Sequence, residues 1–327
     1  MTSIIEAKHI YKSFSRGRAK GLTKINALSD VSLSVNEGVN VGVIGESGSG
    51  KTTLGKIITK LSEPDSGNLF FYGEDITTAK ERHLDKFRRS VQMIFQDPYS
   101  SLDPRMTVRA SIQDFLRVQK IKSQDYDITK YLGMVELDQS VADKRPKDLS
   151  GGQRQRVAIA KALSLGPKLI VADEPVSALD VSIRSQILLM FENLKQATGK
   201  TFVYITHDIS TIPFLADQVF VMYKGSVVES STTKGIISEP LHPYSKGLIA
   251  AVPDFGKTSN DVDKHIKVDA DPDAVPSRGC KFYFRCQYSM DICETVDPTL
   301  TKQGTGRFVA CHLYSSSDET RSFQSKD

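Results

Sequence analysis

The stretch Val39-Asn40-Val41-Gly42-Val43-Ile44-Gly45-Glu46-Ser47-Gly48-Ser49-Gly50-Lys51-Thr52-Thr53-Leu54 decides the fold of this chain. The run Val39 to Ile44 reads as a strand, and a glycine-rich turn hands it directly to a helix. Leu54, Ile57, Ile58 and Leu61 stand at i, i+3, i+4 and i+7, so that helix is expected to lay one face on a sheet. Strand, turn and helix in this order are the context of a phosphate-binding loop. The glycines let backbone N–H groups curl around phosphate oxygens, and the helix N-terminus adds positive potential. Lys51 then supplies a point charge to the β- and γ-oxygens, and Thr52 offers a hydroxyl to Mg²⁺. A glycine turn without ligand is the plainer alternative, and the complete spacing in its strand-to-helix context weighs against it.

Outward from this loop, Leu169 to Ala172 and Phe202 to Ile205 are further strand-like runs, separated by helical patterns such as Ile183, Ile187, Met190, Phe191 and Leu194. This alternation predicts an α/β core with a mostly parallel sheet. Val219 to Tyr223 and Ser226 to Val228 flank a Lys224-Gly225 turn and are expected to form the hairpin that closes the core. Between Gln96 and Leu149 the strand character fades into charged, helix-compatible sequence, which predicts an inserted helical subdomain over about 97–160. With 327 residues, length favours a main domain with an appendage. The expected division is 1–255 as the main domain, 256–275 as a linker, 276–314 as a Cys-rich region and 315–327 as a polar tail. Apolar residues at 39% and charged residues at 25% exclude global disorder. The net charge of +4 is too mild to announce a nucleic-acid partner. Apolar runs fall far short of the roughly 20 residues of a membrane helix, and the N-terminus shows no secretory pattern, so the cytosol is the expected compartment. The basic insert Arg16 to Lys24 reads as a solvated loop between strands.

Leu169-Ile-Val-Ala-Asp173-Glu174 is a strand run ending in two adjacent carboxylates. Strand alternation would send them to opposite faces and so separate two roles: Asp173 for the Mg²⁺ shell, Glu174 for polarising an attacking water. A helix start with solvated acids is the other reading, since Pro175 follows. Leu149-Ser150-Gly151-Gly152-Gln153 precedes a helical run from Val157 to Leu165, with Ser150 as the expected N-cap. It is either a second anion-binding helix end or an ordinary surface cap.

These segments together resemble the ATP-binding subunits of ABC transporters: GESGSGKT as Walker A, LIVADE as Walker B, LSGGQ as the signature and Ser177-Ala-Leu-Asp180 as the D-loop. The resemblance implies a P-loop NTPase core with an N-terminal antiparallel β subdomain. It implies that Gly45 to Thr53 bind ATP, that Gln96 is the Q-loop glutamine joining Mg²⁺, and that His207 is the switch histidine at the γ-phosphate. Phe14 lies where this family places an aromatic against adenine. Ser150, Gly151, Gly152 and Gln153 would meet the ATP of a partner subunit in trans. Gln96-Asp-Pro-Tyr-Ser-Ser-Leu-Asp-Pro-Arg105 and Glu239-Pro-Leu-His-Pro-Tyr244-Ser-Lys-Gly-Leu narrow the likeness to the oligopeptide, dipeptide and nickel importer ATPases, the second of their two paired subunits. This likeness implies ATP-driven import of peptides or a related small solute at the cytoplasmic face of the membrane. The implied partners are a paralogous ATPase, two transmembrane permease subunits and, indirectly, an extracytoplasmic solute-binding protein.

Cys280, Cys286, Cys293 and Cys311 leave 5, 6 and 17 residues between successive sulfurs, which matches none of the common CxxC zinc patterns. A cytosolic location argues against disulfides, so four cysteines in a short polar segment suggest a metal staple, with free thiols as the alternative. The resemblance implies a [4Fe–4S] cluster on these four cysteines, with Zn²⁺ as its rival. Phe284-Arg285-Cys286 departs from the Pro-Arg-Cys that the family often carries, which bears on loop shape.

Overall fold

The computed structural model describes residues 2–16, 23–177, 179–252, 264–267 and 270–315. Its strands form two sheets. The smaller is antiparallel and uses β1 (Ser3–Arg16), β2 (Thr23–Asn36), β4 (Ser66–Phe71) and β5 (Glu74–Asp75) in the order β2-β1-β4-β5. The larger contains β3 (Val41–Ile44), β6 (Val91–Ile94), β7 (Leu169–Asp173), β8 (Thr201–Thr206), β9 (Gln218–Tyr223), β10 (Ser226–Thr232), β11 (Thr301–Gly304) and β12 (Arg307–Val309). Its order is β11-β12-β10-β9-β3-β8-β7-β6, parallel from β9 to β6. β3 pairs with β8 on one edge and β9 on the other, and all four of its residues are buried, as a central parallel strand requires.

Helix α1 (Lys51–Ile58) buries Leu54, Ile57 and Ile58 as the periodicity predicts. Leu61 is 51% exposed instead, because the helix caps at Thr59 and Lys60 turns left-handed at φ 59°. After α2 (Asp85–Ser90), the segment between β6 and β7 folds as α3 (Val108–Val118), α4 (Ile128–Gly133) and α5 (Gly151–Leu163). Thr107 and Asp127 cap α3 and α4 through side chains that accept from Ala110 N–H and Lys130 N–H. Leu102, Ile112, Leu116, Leu132 and Val157 give this insert its own apolar core. α5 runs past residue 160, and its Ile159, Ala160 and Leu163 join the core beneath α6 (Val181–Thr198) with Ile187 and Phe191. Helices α7 (Ile212–Leu215), α8 (Thr233–Ser238), α9 (Pro243–Ala250) and α10 (Ile292–Thr295) complete the described set.

The β9–β10 hairpin does not close the sheet: β10 pairs onward with β12 through Glu229↔Val309 and Ser230↔Phe308, and β12 with β11. β10 is buried over Val227–Ser231, so its outer edge needs backbone partners, and the C-terminal strands supply them. Nor is the Cys-bearing region poor in core. Phe282 and Cys286 share one apolar cluster with Ile44, Tyr223, Tyr244 and Ile249. Of the expected linker, Ile266 bridges to Cys286, whereas 256–263, 268 and 269 lie outside the described residues. The tail from 316 to 327 and insert residues 17–22 lie outside them too, while Arg16 and Thr23 end β1 and β2 as a pair.

Candidate nucleotide site

Where β3 ends, Gly45 adopts φ 149°, and a Cβ there would stand 2.1 Å from the Met222 carbonyl oxygen of β9. Gly50 adopts φ 97°, and its Cβ would meet the Ala27 carbonyl oxygen of β2 at 2.3 Å. Only glycine lets the loop pass between the two sheets at these points. Ser47 and Gly48 form its exposed rim, Ser49 is buried, and Ser49 N–H donates to Glu46 O at 3.2 Å. Lys51 is 5% exposed, and its Nζ donates to Gly45 O at 2.7 Å and Glu46 O at 2.8 Å. Burial pulls the Lys51 pKa below its usual value against the opposing pull of Glu174, Asp173 and Glu46. No acid lies in the first turn of α1, so its N-terminus is free to attract an anion.

Thr52 Oγ1 donates to Asp173 Oδ1 at 3.0 Å, joining α1 to the end of β7. Burial raises the Asp173 pKa, and the Thr52 hydrogen bond opposes it. The separation of the two carboxylates does not come from strand alternation. β7 stops at Asp173, and Glu174 turns left-handed at φ 46°, a conformation that is costly for a non-glycine residue. That turn aims its carboxylate at Gln96 Nε2, 2.9 Å from Oε2, and His207 Nδ1, 2.9 Å from Oε1. Ser177 completes the knot: its Oγ lies 3.4 Å from Gln96 Nε2 and donates to Glu174 O. Hydrogen bonds thus join Thr52 to Asp173, and Gln96 and His207 to Glu174, while Lys51 is held by the loop carbonyls and feels Glu174 and Asp173 electrostatically. The Thr52 hydroxyl, the Asp173 carboxylate and the Gln96 carbonyl are oxygen donors of the hard kind that suits Mg²⁺.

The other expected residues lie apart from this network. Ser150 caps α5 with a full capping box: its Oγ accepts from Gln153 N–H, and Gln153 Oε1 accepts from Ser150 N–H. Ser150 is exposed and Gly151 and Gly152 pack toward Leu179 and Ile183, so this helix end faces outward beside the D-loop. Asp180 is exposed ahead of α6, and Ala178 lies outside the described residues. Phe14 is 46% exposed and pairs with Ile25, two residues along β2 from Ala27 at the phosphate loop. An exposed apolar surface therefore adjoins the loop, as a platform for a base requires.

Among the described residues no group of three or more His, Cys, Asp or Glu is arranged to hold a metal ion. The expected cluster or zinc on the cysteines thus finds no support in the arrangement of these side chains. The four cysteines are unpaired by disulfides, and the other three all act electrostatically on Cys280. Burial drives Cys280 and Cys311 up to about 12 and raises Cys286 as well. Backbone N–H groups of Phe282, Tyr288 and Leu313 point at the sulfurs of Cys280, Cys286 and Cys311.

Sequence reasoning missed two residues that grip the loop. Tyr244 OH accepts from Glu46 N–H at 2.9 Å, and Arg285 forks onto the Glu46 carboxylate. The Arg285–Glu46 pair spans 239 positions, so no local pattern could announce it.

A strand-seated phosphate loop, with a buried lysine and a carboxylate poised by glutamine and histidine, defines a P-loop ATPase. Residues 28–177 match the family model "ABC transporter", and 228–293 match "Oligopeptide/dipeptide transporter, C-terminal region". The chain is 38% identical over 317 residues to the putative oligopeptide transport ATP-binding protein YkfD of Bacillus subtilis, covering 95% of both chains. It is 39% identical to the oligopeptide transport ATP-binding protein AppF of the same organism, covering 89% of this chain and 90% of that one. Among solved structures, the ATP-binding cassette MJ0796, a dimer bound to ADP and phosphate, matches with TM-score 0.63 and 31% identity, over 71% of this chain and 99% of that one. The chain belongs to the ATP-binding proteins of ABC transporters, in their oligopeptide and dipeptide branch, and is an ATPase. Among the described residues no helix is long and apolar enough to cross a membrane.

Proposed function

We propose that this chain hydrolyses ATP to drive import of oligopeptides or dipeptides, bound to the cytoplasmic face of the membrane on two permease subunits. The observation that carries the reading is the union, in one fold, of the nucleotide network with a C-terminal region matching that of oligopeptide and dipeptide transporters. In the mechanism, Gly45 to Thr53 cradle the phosphates, and Lys51 moves from the loop carbonyls to the β- and γ-oxygens. Thr52, Asp173 and Gln96 would hold Mg²⁺, which when bound neutralises phosphate charge. Glu174 takes the proton of the attacking water, and His207 orients on the γ-phosphate. Phe14 stacks on adenine. The exposed Ser150 to Gln153 end reaches the γ-phosphate of a paralogous subunit head to tail, with Asp180 at that interface. A cleft of about 340 Å³ beside Phe95, lined by Leu61, Met93, Phe115 and Ala162, is the seat for a permease segment, next to Gln96.

On this reading residues 1–255 are the ATPase domain, and 276–314 a C-terminal region built into its sheet. The four cysteines hold a [4Fe–4S] cluster. Support comes from four unpaired cysteines, three of which act electrostatically on Cys280, and from backbone donors aimed at three of the sulfurs. Anaerobically purified protein is then expected to carry iron and acid-labile sulfide in similar amounts, and zinc alone refutes the cluster. Gentle solubilisation of native membranes, with this chain tagged, tests the transport reading. Two multispanning proteins and a second P-loop ATPase are the expected companions, and ribosomal proteins or nucleic acid in their place overturn it.

A further inference from the structure

A loop that cradles phosphates is a poor place for a carboxylate, yet Glu46 sits in it. Its field reaches Lys51, and so reaches any anion that Lys51 attracts. The fold answers this with a cation from far along the chain. Arg285 Nη1 lies 2.9 Å from Glu46 Oε2, and Nη2 lies 3.0 Å from Oε1, a bidentate pair. The Arg285 side chain is only 13% exposed. It lies against the rings of Tyr223 and Phe282 at 5.8 and 5.7 Å, and Nη1 donates to Tyr223 OH at 3.4 Å. Its backbone is pinned as well: its N–H donates to Phe282 O, and its carbonyl accepts Lys267 N–H at 2.8 Å. Tyr223, Tyr244 and Phe282 contact one another at 4.6 to 5.5 Å. From this aromatic platform Tyr244 OH accepts the Glu46 N–H. The loop's acidic residue is therefore held at its side chain and its backbone, and both holds come from residues beyond β10.

We propose that Arg285 is a positioning residue for nucleotide binding: it neutralises Glu46 and keeps that carboxylate away from the phosphates, assisted by Tyr244. The affinity of the loop is then set by the segment between Cys280 and Cys286, which is part of the ATP site although it touches no nucleotide. The inference rests on the reading of residues 45–53 as the ATP site. A mere anchor for the C-terminal segment would also use the Arg285–Glu46 pair, but removing the Glu46 carboxylate as well would then not restore nucleotide affinity.

That difference defines the experiment: isothermal titration of the full chain with MgATP, and ATPase kinetics, for the wild type, Arg285→Met, Arg285→Lys, Glu46→Gln/Arg285→Met and Lys51→Ala. Arg285→Met is expected to weaken MgATP binding about 10-fold, within the usual span of coupled sites, and to raise KM far more than it lowers kcat. The double variant is expected to regain most of that affinity, because the unpaired carboxylate is gone. Arg285→Lys keeps the charge without the fork and is expected to lose about 3-fold. Wild-type affinity in Arg285→Met, or a double variant as weak as Arg285→Met, overturns the proposal. Should Arg285→Met fail to fold, Arg285→Lys decides it, and unchanged affinity there is the refuting result. Lys51→Ala separates the two layers. If the wild type binds and Lys51→Ala does not, the loop reading stands whatever Arg285 does; equal binding by both overturns the loop reading and this proposal with it.

Discussion

Replacing Glu174 by Gln isolates chemistry from architecture. The carboxylate accepts from Gln96 Nε2 at 2.9 Å and meets His207 Nδ1 at 2.9 Å. A carboxamide of the same shape keeps both contacts: its oxygen accepts from Gln96, and its NH₂ donates to a His207 whose proton sits on Nε2. The left-handed backbone at φ 46° is untouched, since the Cβ substitution pattern does not change. The stability cost should therefore stay below about 1 kcal/mol. What disappears, on the proposed mechanism, is the base. General-base removal costs about 10²- to 10⁴-fold in rate, or about 3 to 5.5 kcal/mol of barrier. Steady-state phosphate release should fall by that factor while MgATP binding persists, and stalled ATP-bound dimers should accumulate on gel filtration. Turnover within about 3-fold of wild type would refute the role assigned to Glu174.

Three further outcomes are expected from the geometry. His242 is fully buried with its pKa held down to about 3 by burial, its Nδ1 accepts from Tyr244 N–H, and its Nε2 has no partner among the described residues. The unfolded chain binds this proton first as pH falls below about 6.5, so stability is complete above that pH and should drop by about 2 kcal/mol by pH 5. Chemical denaturation across pH 5 to 8 measures it, and a flat profile, or one unchanged in His242→Asn, contradicts it. Gly45→Ala places a methyl against Met222 O at 2.1 Å and should cost about 1–3 kcal/mol from backbone conformation alone, together with nucleotide binding. Thermal melts with and without MgATP report both losses, and a wild-type melting shift speaks against the loop geometry. Asp173→Asn keeps the Thr52 hydrogen bond acceptor but removes the charge, so hydrolysis should fall about 10²-fold or more while stability holds or rises, given the buried acid. ATPase assays across a Mg²⁺ titration test this, and hydrolysis that keeps its wild-type Mg²⁺ dependence argues against the ligand role.

Local chemistry made the central parts readable. The glycine spacing, the apolar strand before it and the periodic helix after it are all short-range signals, as is the Ser150 cap with Gln153 three residues on. Long-range arrangements were not readable. The strands Thr301–Gly304 and Arg307–Val309 are short, the first has no apolar side chain, and a Thr305-Gly306 turn joins them, so nothing in them declares that they extend the main sheet. The two carboxylates of Asp173 and Glu174 do face different partners, but the cause was not readable, because a left-handed glutamate leaves no compositional mark. Arg285 stood in plain view beside Cys286, and only the fold could show which carboxylate it answers.

The placement of β3 also dictates an order of events during synthesis. The strand that presents the phosphate loop is made within the first 44 residues, yet its two neighbours, β8 and β9, lie beyond residue 200. A nascent chain must therefore carry an orphan apolar strand and an unformed loop through most of its elongation. Only when β12 emerges at Arg307 is the free edge of β10 covered. A ribosome stalled before that point would hold a chain with an adhesive edge, and quality-control proteases and chaperones would meet it there first.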